Sequence, residues 1–506
     1  VPIVHHVWFV NIKVKGNGFT KKGSDKVALK VSEIKYFMDE NISSWKRQES
    51  LKALNYYEGR HDIKDYKVFY VDSKGEMVED DTRSNIKISH PFFTELVDQC
   101  SQYMLSGDDY LVKSDVPQLQ AELNKYFDDE FRMELNDLIT YTKVEGDSFL
   151  YRQMGDDFRS HFKFADGLNV VEVPSKYASD EKDHVIYHYY WKTEKNKIIS
   201  KIQVWDDKEV YFYQMIDSTI KLDKDEPINP RPHIIYDEDN VKYQQTFKGI
   251  PFVRLDNNRR RQSDLYIVKD LIDDYDLMAC GLSNNLQDVA EGIYVVKGYN
   301  GNNLDELTQS IKVKKQLAVG EGGDFDIKTI NVPYQARVAK MNEDEKNIYR
   351  FGMGLNTNTI GDGNTTNYNL KSKYALLEMK CKKLEAQLKR MMKVVIEMVL
   401  DEINEQNNTS YTYSDVWVEF KREVMTNAQD NAQIEQIQAS TNQIKINTLL
   451  GLSQTLDQDT VVKYICQVLD IDYNEIKDKL PQPMSVEDET QKAYSQLDDI
   501  MQEPSE

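Results

Sequence analysis

The sequence predicts an α+β fold, and three stretches carry that expectation. From about Ser263, the residues Leu265, Val268, Ile272, Tyr275, Ala279, Leu282, Leu286 and Val289 recur in alternating steps of three and four, which places them on one stripe of a long helix. About 27 residues at 1.5 Å each make a rod of roughly 40 Å. Its other side carries Asp264, Asp270, Asp274 and Asn285 and is expected to be wet. A second heptad-patterned helix runs from Leu370 to Ile403 through Leu377, Cys381, Leu384, Leu388, Met391, Val395 and Met398. Between Asp147 and Val253, alternating segments rich in Tyr, Phe, Val and Ile (148–154, 161–165, 184–191, 201–205 and 209–216) predict antiparallel strands.

The remaining elements follow in chain order. Residues 1–32 place Lys13, Lys15, Lys21, Lys22, Lys26 and Lys30 among glycines and read as a flexible arm. Residues 33–59 read as one helix with Leu51, Leu54 and Tyr57 on a face, closed by Gly59, and 60–84 as a polar connection. Ser89 is placed to cap a helix whose first turn holds Pro91 and whose apolar face runs from Phe92 to Met104. Residues 117–145 give two further helices. Past the first long helix, Ile293–Val296 reads as a strand, Leu304–Ser310 as a short helix, Lys312–Val319 as a strand and Gly320–Gly323 as a turn before alternating Phe325 and Ile327. A helix from about Gln335 to Phe351 carries the run Asn342-Glu343-Asp344-Glu345. The loop Asn356–Asn369 holds only Ile360 and Tyr368 as large side chains, and Gly361 and Gly363 make it pliable. The second long helix opens with a basic cluster that includes Lys371, Lys373 and Lys380, read as a solvated face, with transient contact to phosphates or to acidic neighbours in an assembly as the alternative. Tyr411–Phe420 reads as a strand, with helices over 427–450, 458–469 and 473–479, and the acidic end 481–506 is expected to be disordered.

Composition limits the function classes. Net charge is −21, from 64 Lys and Arg against 85 Asp and Glu, so a basic field for gripping nucleic acid is absent. Either solubility or a surface that lets DNA slide without sticking accounts for the acidity. No run of eighteen apolar residues predicts a membrane span, and the opening ten residues lack the charged leader and cleavage site of a signal peptide. Cys100, Cys280, Cys381 and Cys466 are scattered and read as small buried hydrophobes. There is no P-loop, no dinucleotide fingerprint, no HExxH and no zinc-type Cys/His spacing, so no cofactor or metal is expected. Paired aspartates such as Asp108-Asp109 and Asp273-Asp274 leave a metal-dependent nuclease, or another DNA-processing enzyme, as the alternative reading. A helical adaptor forming a small oligomer is a third.

Several collinear strings resemble the portal proteins of tailed double-stranded DNA bacteriophages, in the branch of phages infecting Gram-positive bacteria. They are Tyr56-Tyr57-Glu58-Gly59, then Asn85 and Lys87 to Phe92 running on through Leu96-Val97-Asp98 to Tyr103 and Gly107. The most specific is Pro251-Phe252-Val253, Asn257-Asn258, Ser263-Asp264-Leu265, Val268-Lys269, Leu271-Ile272-Asp273 and Tyr275-Asp276, continued by Tyr294 to Gly298. The similarity spans about 45–480.

This resemblance implies a portal-type fold and a non-enzymatic dodecameric ring with a central channel. Its parts would be a wing (33–262), stem helices (263–290 and 335–354), a clip (291–334), a channel or tunnel loop (355–369), a long wing helix and strand (370–420) and crown helices (421–480). The implied partners are other copies of the chain, double-stranded DNA passing through the channel, the terminase large subunit and the head–tail adaptor at the clip, and the major capsid and scaffolding proteins. The implied location is a virion capsid vertex, with assembly in the bacterial host cytoplasm. The residues expected near the bore are Glu343, Asp344, Glu345, Asn358, Asn364, Thr365, Thr366 and Asn367. Lys371 and Lys373 are expected to touch DNA phosphates. Leu265, Val268, Ile272, Tyr275, Leu282 and Leu286 are expected to pack the stem against its neighbours. About twelve copies would place about −250 charges on the ring, with salt screening their repulsion beyond roughly 8–10 Å.

Overall fold

A computed structural model of the chain describes residues 28–81, 83–107, 109–155, 157–176, 181–192, 198–238, 241–289, 293–297, 322–328, 333–359, 367–423, 428–451, 458–469 and 473. The chain divides into two compact units, residues 1–361 with 371–424, and residues 362–370 with 425–506.

The first unit opens with α1 (Val31–Ser43) and α2 (Trp45–Tyr57). The chain makes two helices where the pattern predicts one, because Ser44 is extended and its hydroxyl accepts the Arg47 amide at 3.2 Å, capping α2. Leu51 is 42% exposed, while Ser50, Ala53 and Tyr56 face inward. Gly59, at φ 73, follows the end of α2. The polar connection contains a hairpin of β1 (Phe69–Val71) and β2 (Met77–Glu79), whose side chains are exposed on both strands. Ser89 does not cap α3 (Phe92–Met104): its hydroxyl donates to the Gly59 carbonyl at 2.7 Å, and Pro91 sits at the cap. The short strand β3 (Val112–Lys113) precedes α4 (Pro117–Leu123) and α5 (Asp129–Glu145). Gly146 ends α5 at φ 96, where a Cβ would lie 2.2 Å from the Arg261 carbonyl, so only glycine fits.

The expected β region is present. Its strands are β4 (Asp147–Met154), β5 (Ser160–Ala165), β6 (Val170–Pro174), β7 (Lys182–Lys192), β8 (Ile198–Trp205), β9 (Glu209–Ile216), β10 (Thr219–Leu222), β11 (Arg231–Pro232), β12 (Ile234–Glu238), β13 (Val241–Gln245) and β14 (Phe252–Asp256). β6 to β10 form an antiparallel meander with β11 on β9, β4 sits between β14 and β5, and β12 pairs with β13. Phe149, Ala165, Val170, Val185 and Phe252 fill the space between meander and three-stranded sheet. Helix α1 covers the meander through Ile34 and Met38.

The long helices are α6 (Leu265–Val289), α7 (Tyr334–Phe351) and α8 (Asn367–Asn407). Between α6 and α7, β15 (Ile293–Lys297) pairs antiparallel with β16 (Asp324–Lys328). The strand expected over 411–420 shrinks to a 3₁₀ turn and β17 (Trp417–Val418), paired with β3. The largest core packs α8, from Leu377 to Ile403, against α3, α4, α5 and the β4 sheet. In the second unit, α9 (Ala428–Gly451) packs on α10 (Gln458–Leu469). The expectations for 1–27, 304–319, 360–366 and 474–506 fall outside the described residues. Among the described residues no helix is long and apolar enough to cross a membrane.

Candidate functional site

The apolar stripe of α6 divides in two. Leu265, Val268 and Ile272 are buried, with Tyr275 partly so, against Ala53 and Tyr56 of α2, Phe93, Leu96 and Val97 of α3 and Ile348 of α7. These residues anchor the helix to its own chain, which corrects the expectation that they pack against neighbouring copies. Further along, Leu282 is half-buried and Leu286 is 57% exposed. Tyr266 and Ile267, off the stripe, are also largely exposed. Asp264 is not wet. It takes hydrogen bonds or ion pairs from Asn257 (2.7 Å), Lys380 (3.0 Å) and Lys143 (3.5 Å). Burial alone raises its pKa, but Lys143 and Lys380 hold its carboxyl well below the usual range. Lys380 is therefore a buried partner of the α6 start rather than part of a solvated basic face.

Farther along α6, fully buried Asp276 ties the helix to two distant segments. It accepts His61 Nδ1 at 2.6 Å, His90 Nδ1 at 2.7 Å and the His90 amide at 2.9 Å. Burial works to raise its pKa, yet the hydrogen bonds from both imidazoles bring it below the usual value. His61 also stacks on Tyr56 with ring centroids 4.5 Å apart.

α7 runs antiparallel to α6. Arg337 reaches the Met278 carbonyl at 3.5 Å, and Lys340 bridges Asp274 and Asp344. Residues 343–345 point in successive directions about 100° apart, because a helix turns every 3.6 residues. Glu343 is exposed, Glu345 half-buried and Asp344 only 2% exposed under Lys340, so Asp344 does not belong to a bore-facing acidic surface.

The chain leaving α7 is pinned from three sides. The Gln99 side-chain amide donates to the Leu355 carbonyl at 2.8 Å and accepts the Leu355 amide at 2.8 Å. Lys380 donates to the Gly352 carbonyl at 3.1 Å. Glu345 accepts the side-chain amides of Asn356 at 3.1 Å and Asn358 at 2.9 Å. Leu355 itself is buried. Nothing in the sequence marks Gln99 for this clamp. Asn364, Thr365 and Thr366 lie outside the described residues, and Asn367 is the first residue of α8 rather than part of the loop. Lys371 is exposed and Lys373 half-exposed on the first turns of α8. Beside these anchors the sulfurs of Cys100 and Cys381 lie 3.7 Å apart. The hydrogen bond from Cys381 draws the Cys100 thiol downward, and that same bond, with burial, pushes Cys381 up. Among the described residues no group of three or more His, Cys, Asp or Glu side chains is placed to hold a metal ion.

The portal protein of Bacillus phage SPP1 is 25% identical over 345 residues, 67% of each chain. The portal protein of Clostridium phage phiCD119 is 24% identical over 416 residues, 77% of this chain and 86% of that one. Solved chains from the virion and the neck of gene transfer agent particles are 10% and 12% identical, cover 76% and 74% of this chain and 91% and 90% of theirs, and have TM-scores of 0.38. The family model described as phage portal protein, SPP1 Gp6-like, matches residues 37–474. The chain therefore belongs to the SPP1 Gp6-like family of phage portal proteins.

Proposed function

We propose that the chain is a structural, non-catalytic subunit of a twelve-membered ring at one capsid vertex of a virion, through whose channel double-stranded DNA is packaged and ejected. Family membership and the names of its relatives support the portal role. The observation that carries the channel reading is the anchored loop base. Gln99, Lys380 and Glu345 hold residues 352–358 from three directions, while the segment that follows is polar and glycine-containing. A fixed base sets where the polar segment leaves the stem helix.

In this reading α6 and α7 form the stem, and residues 291–334 form the clip that docks the terminase large subunit and later the head–tail adaptor. Residues 33–262 and 370–420 form the wing, and residues 421–480 the crown. Glu343 faces the bore while Glu345, on the other side of the helix, holds the loop base, with Asn358, Asn364, Thr365 and Thr366 closest to the DNA and Lys371 and Lys373 within reach of phosphates. Exposed Tyr266, Ile267 and Leu286 meet the neighbouring stem. Major capsid and scaffolding proteins contact the ring during assembly in the host cytoplasm.

Cryo-electron microscopy of the purified chain, with light scattering to fix its mass, tests this. Rings of about twelve copies with residues 360–366 at the axis are expected; a monomer, or those residues on the outer rim, would overturn the proposal.

A further inference from the structure

A groove in the first unit lies between the β12–β13 hairpin and the second half of α8, with a volume of about 210 Å³. That is room for roughly seven waters, or a few side chains. Its apolar walls include Met154, Ile234, Phe247, Val394 and Met398. The floor is fixed by the buried Arg152–Glu402 pair at 2.6 Å, with the Arg152 guanidinium over the Phe247 ring at 4.3 Å. One lip is an acidic ridge: Glu397, Asp401 and Glu405 recur every four residues along α8 and are exposed. Lys248, paired with Asp401 at 2.9 Å, is the cation on the opposite lip, and Lys393 on the ridge itself lies 3.8 Å from Glu397, leaving the three carboxylates in excess of the two lysines. An apolar trough with an acidic edge suits an apolar segment followed by positive charge.

The chain carries such a segment at its start. Ile3, Val4, Val7, Trp8, Phe9 and Val10 precede Lys13, Lys15, Lys21, Lys22 and Lys26, opposed only by Asp25, in a chain of net charge −21. The described structure begins just after it, where Leu29 packs against the meander core. Twenty-seven residues reach up to about 90 Å when extended, farther than the width of a unit whose radius of gyration is roughly 22 Å. We propose that the apolar–basic segment 3–15 docks in this groove, with its aromatic side chains in the trough and Lys13 and Lys15 against the α8 ridge. The segment is the chain's own, since its reach from Leu29 spans the unit that carries the groove. This docking stands apart from the channel reading and does not depend on it.

The test uses the full chain with the photocrosslinker p-benzoylphenylalanine in place of Trp8. After irradiation, peptide mass spectrometry is expected to find adducts within 245–248 or 394–406. A one-chain mass on a denaturing gel marks the chain's own groove and supports docking, whereas a two-chain mass, a neighbour's segment in the groove, overturns it. Adducts confined to other surfaces, or to a foreign protein, overturn it. Combining Glu397→Lys, Asp401→Lys and Glu405→Lys is expected to cut the adduct yield about fivefold at low salt. Lys13→Glu with Lys15→Glu in that background is expected to restore it. An undiminished yield in a triple variant with unchanged thermal melting also overturns the proposal. If the triple variant does not fold, the adduct map decides alone.

Discussion

Replacing Gln99 with methionine keeps the length of the side chain and removes the amide that clamps Leu355. The perturbation strips two 2.8 Å hydrogen bonds, leaving the N–H and C=O of a buried residue without their partners. Each stranded backbone group costs about 1–3 kcal/mol, and some relaxation toward water is open at the loop base, so about 2–4 kcal/mol of local stability is lost. At about 1.4 kcal/mol per tenfold, local opening becomes roughly 30- to 700-fold more frequent. Hydrogen–deuterium exchange of the intact chain, read on peptides covering 352–358, measures this directly. The increase is expected to peak at Leu355 and weaken toward Gly352, where Lys380 still holds the carbonyl. Global melting is expected to change little, since the main core is untouched. A less than threefold change in exchange would refute the assignment of Gln99 as an anchor of the loop base.

Three further outcomes are expected. Gly146→Ala forces a side chain onto the Arg261 carbonyl at φ 96 and is expected to destabilise the first unit by about 2 kcal/mol or more, read as a lower Tm; an unchanged Tm contradicts the tight turn. Ile272→Ala empties a fully buried site under α2 and α3 and is expected to cost about 2–5 kcal/mol in chemical denaturation, whereas a cost below about 1 kcal/mol means that α6 does not pack there. Asp276 has a folded pKa below its unfolded value of about 3.9, so its contribution is present above about pH 4 and is lost as the pH falls through the folded value. Asp276→Asn is expected to melt lower at pH 7 and to lose less Tm than the parent between about pH 5 and pH 3; parallel Tm curves for the two proteins count against the His61–Asp276–His90 link.

The regular elements were legible because periodicity is local. The three–four spacing of α6 and α8, the alternation of β4 and β7 to β9 and the glycine after α2 all sit within a few residues of the feature they specify. What the stripe of α6 faces was not legible, since Leu265, Val268 and Ile272 look the same whether they meet a copy or their own α2 and α3. Charged residues misled in the same way. Asp264 and Lys380 read as solvated, yet they find each other across the fold. The burial of Asp344 was partly foreseeable, because three consecutive helical residues cannot share a face. β6 was missed although Val170, Val171 and Val173 spell it, because a 3₁₀ turn runs directly into it. The Gln99 clamp leaves no signal at all in sequence, where one glutamine looks like any other.

The main core is finished by a part of the chain made late. Tyr126 and its buried partner Glu402 are 276 residues apart. At roughly 5–20 residues per second of synthesis, the oily sides of α3 and α5 wait about 14 to 55 seconds for α8 to emerge from the ribosome. During that interval the nascent polypeptide presents unmatched hydrophobic surface to every other one being translated nearby. Yield in a producing cell should then depend on chaperone supply and elongation speed more than on the thermodynamic stability of the finished subunit.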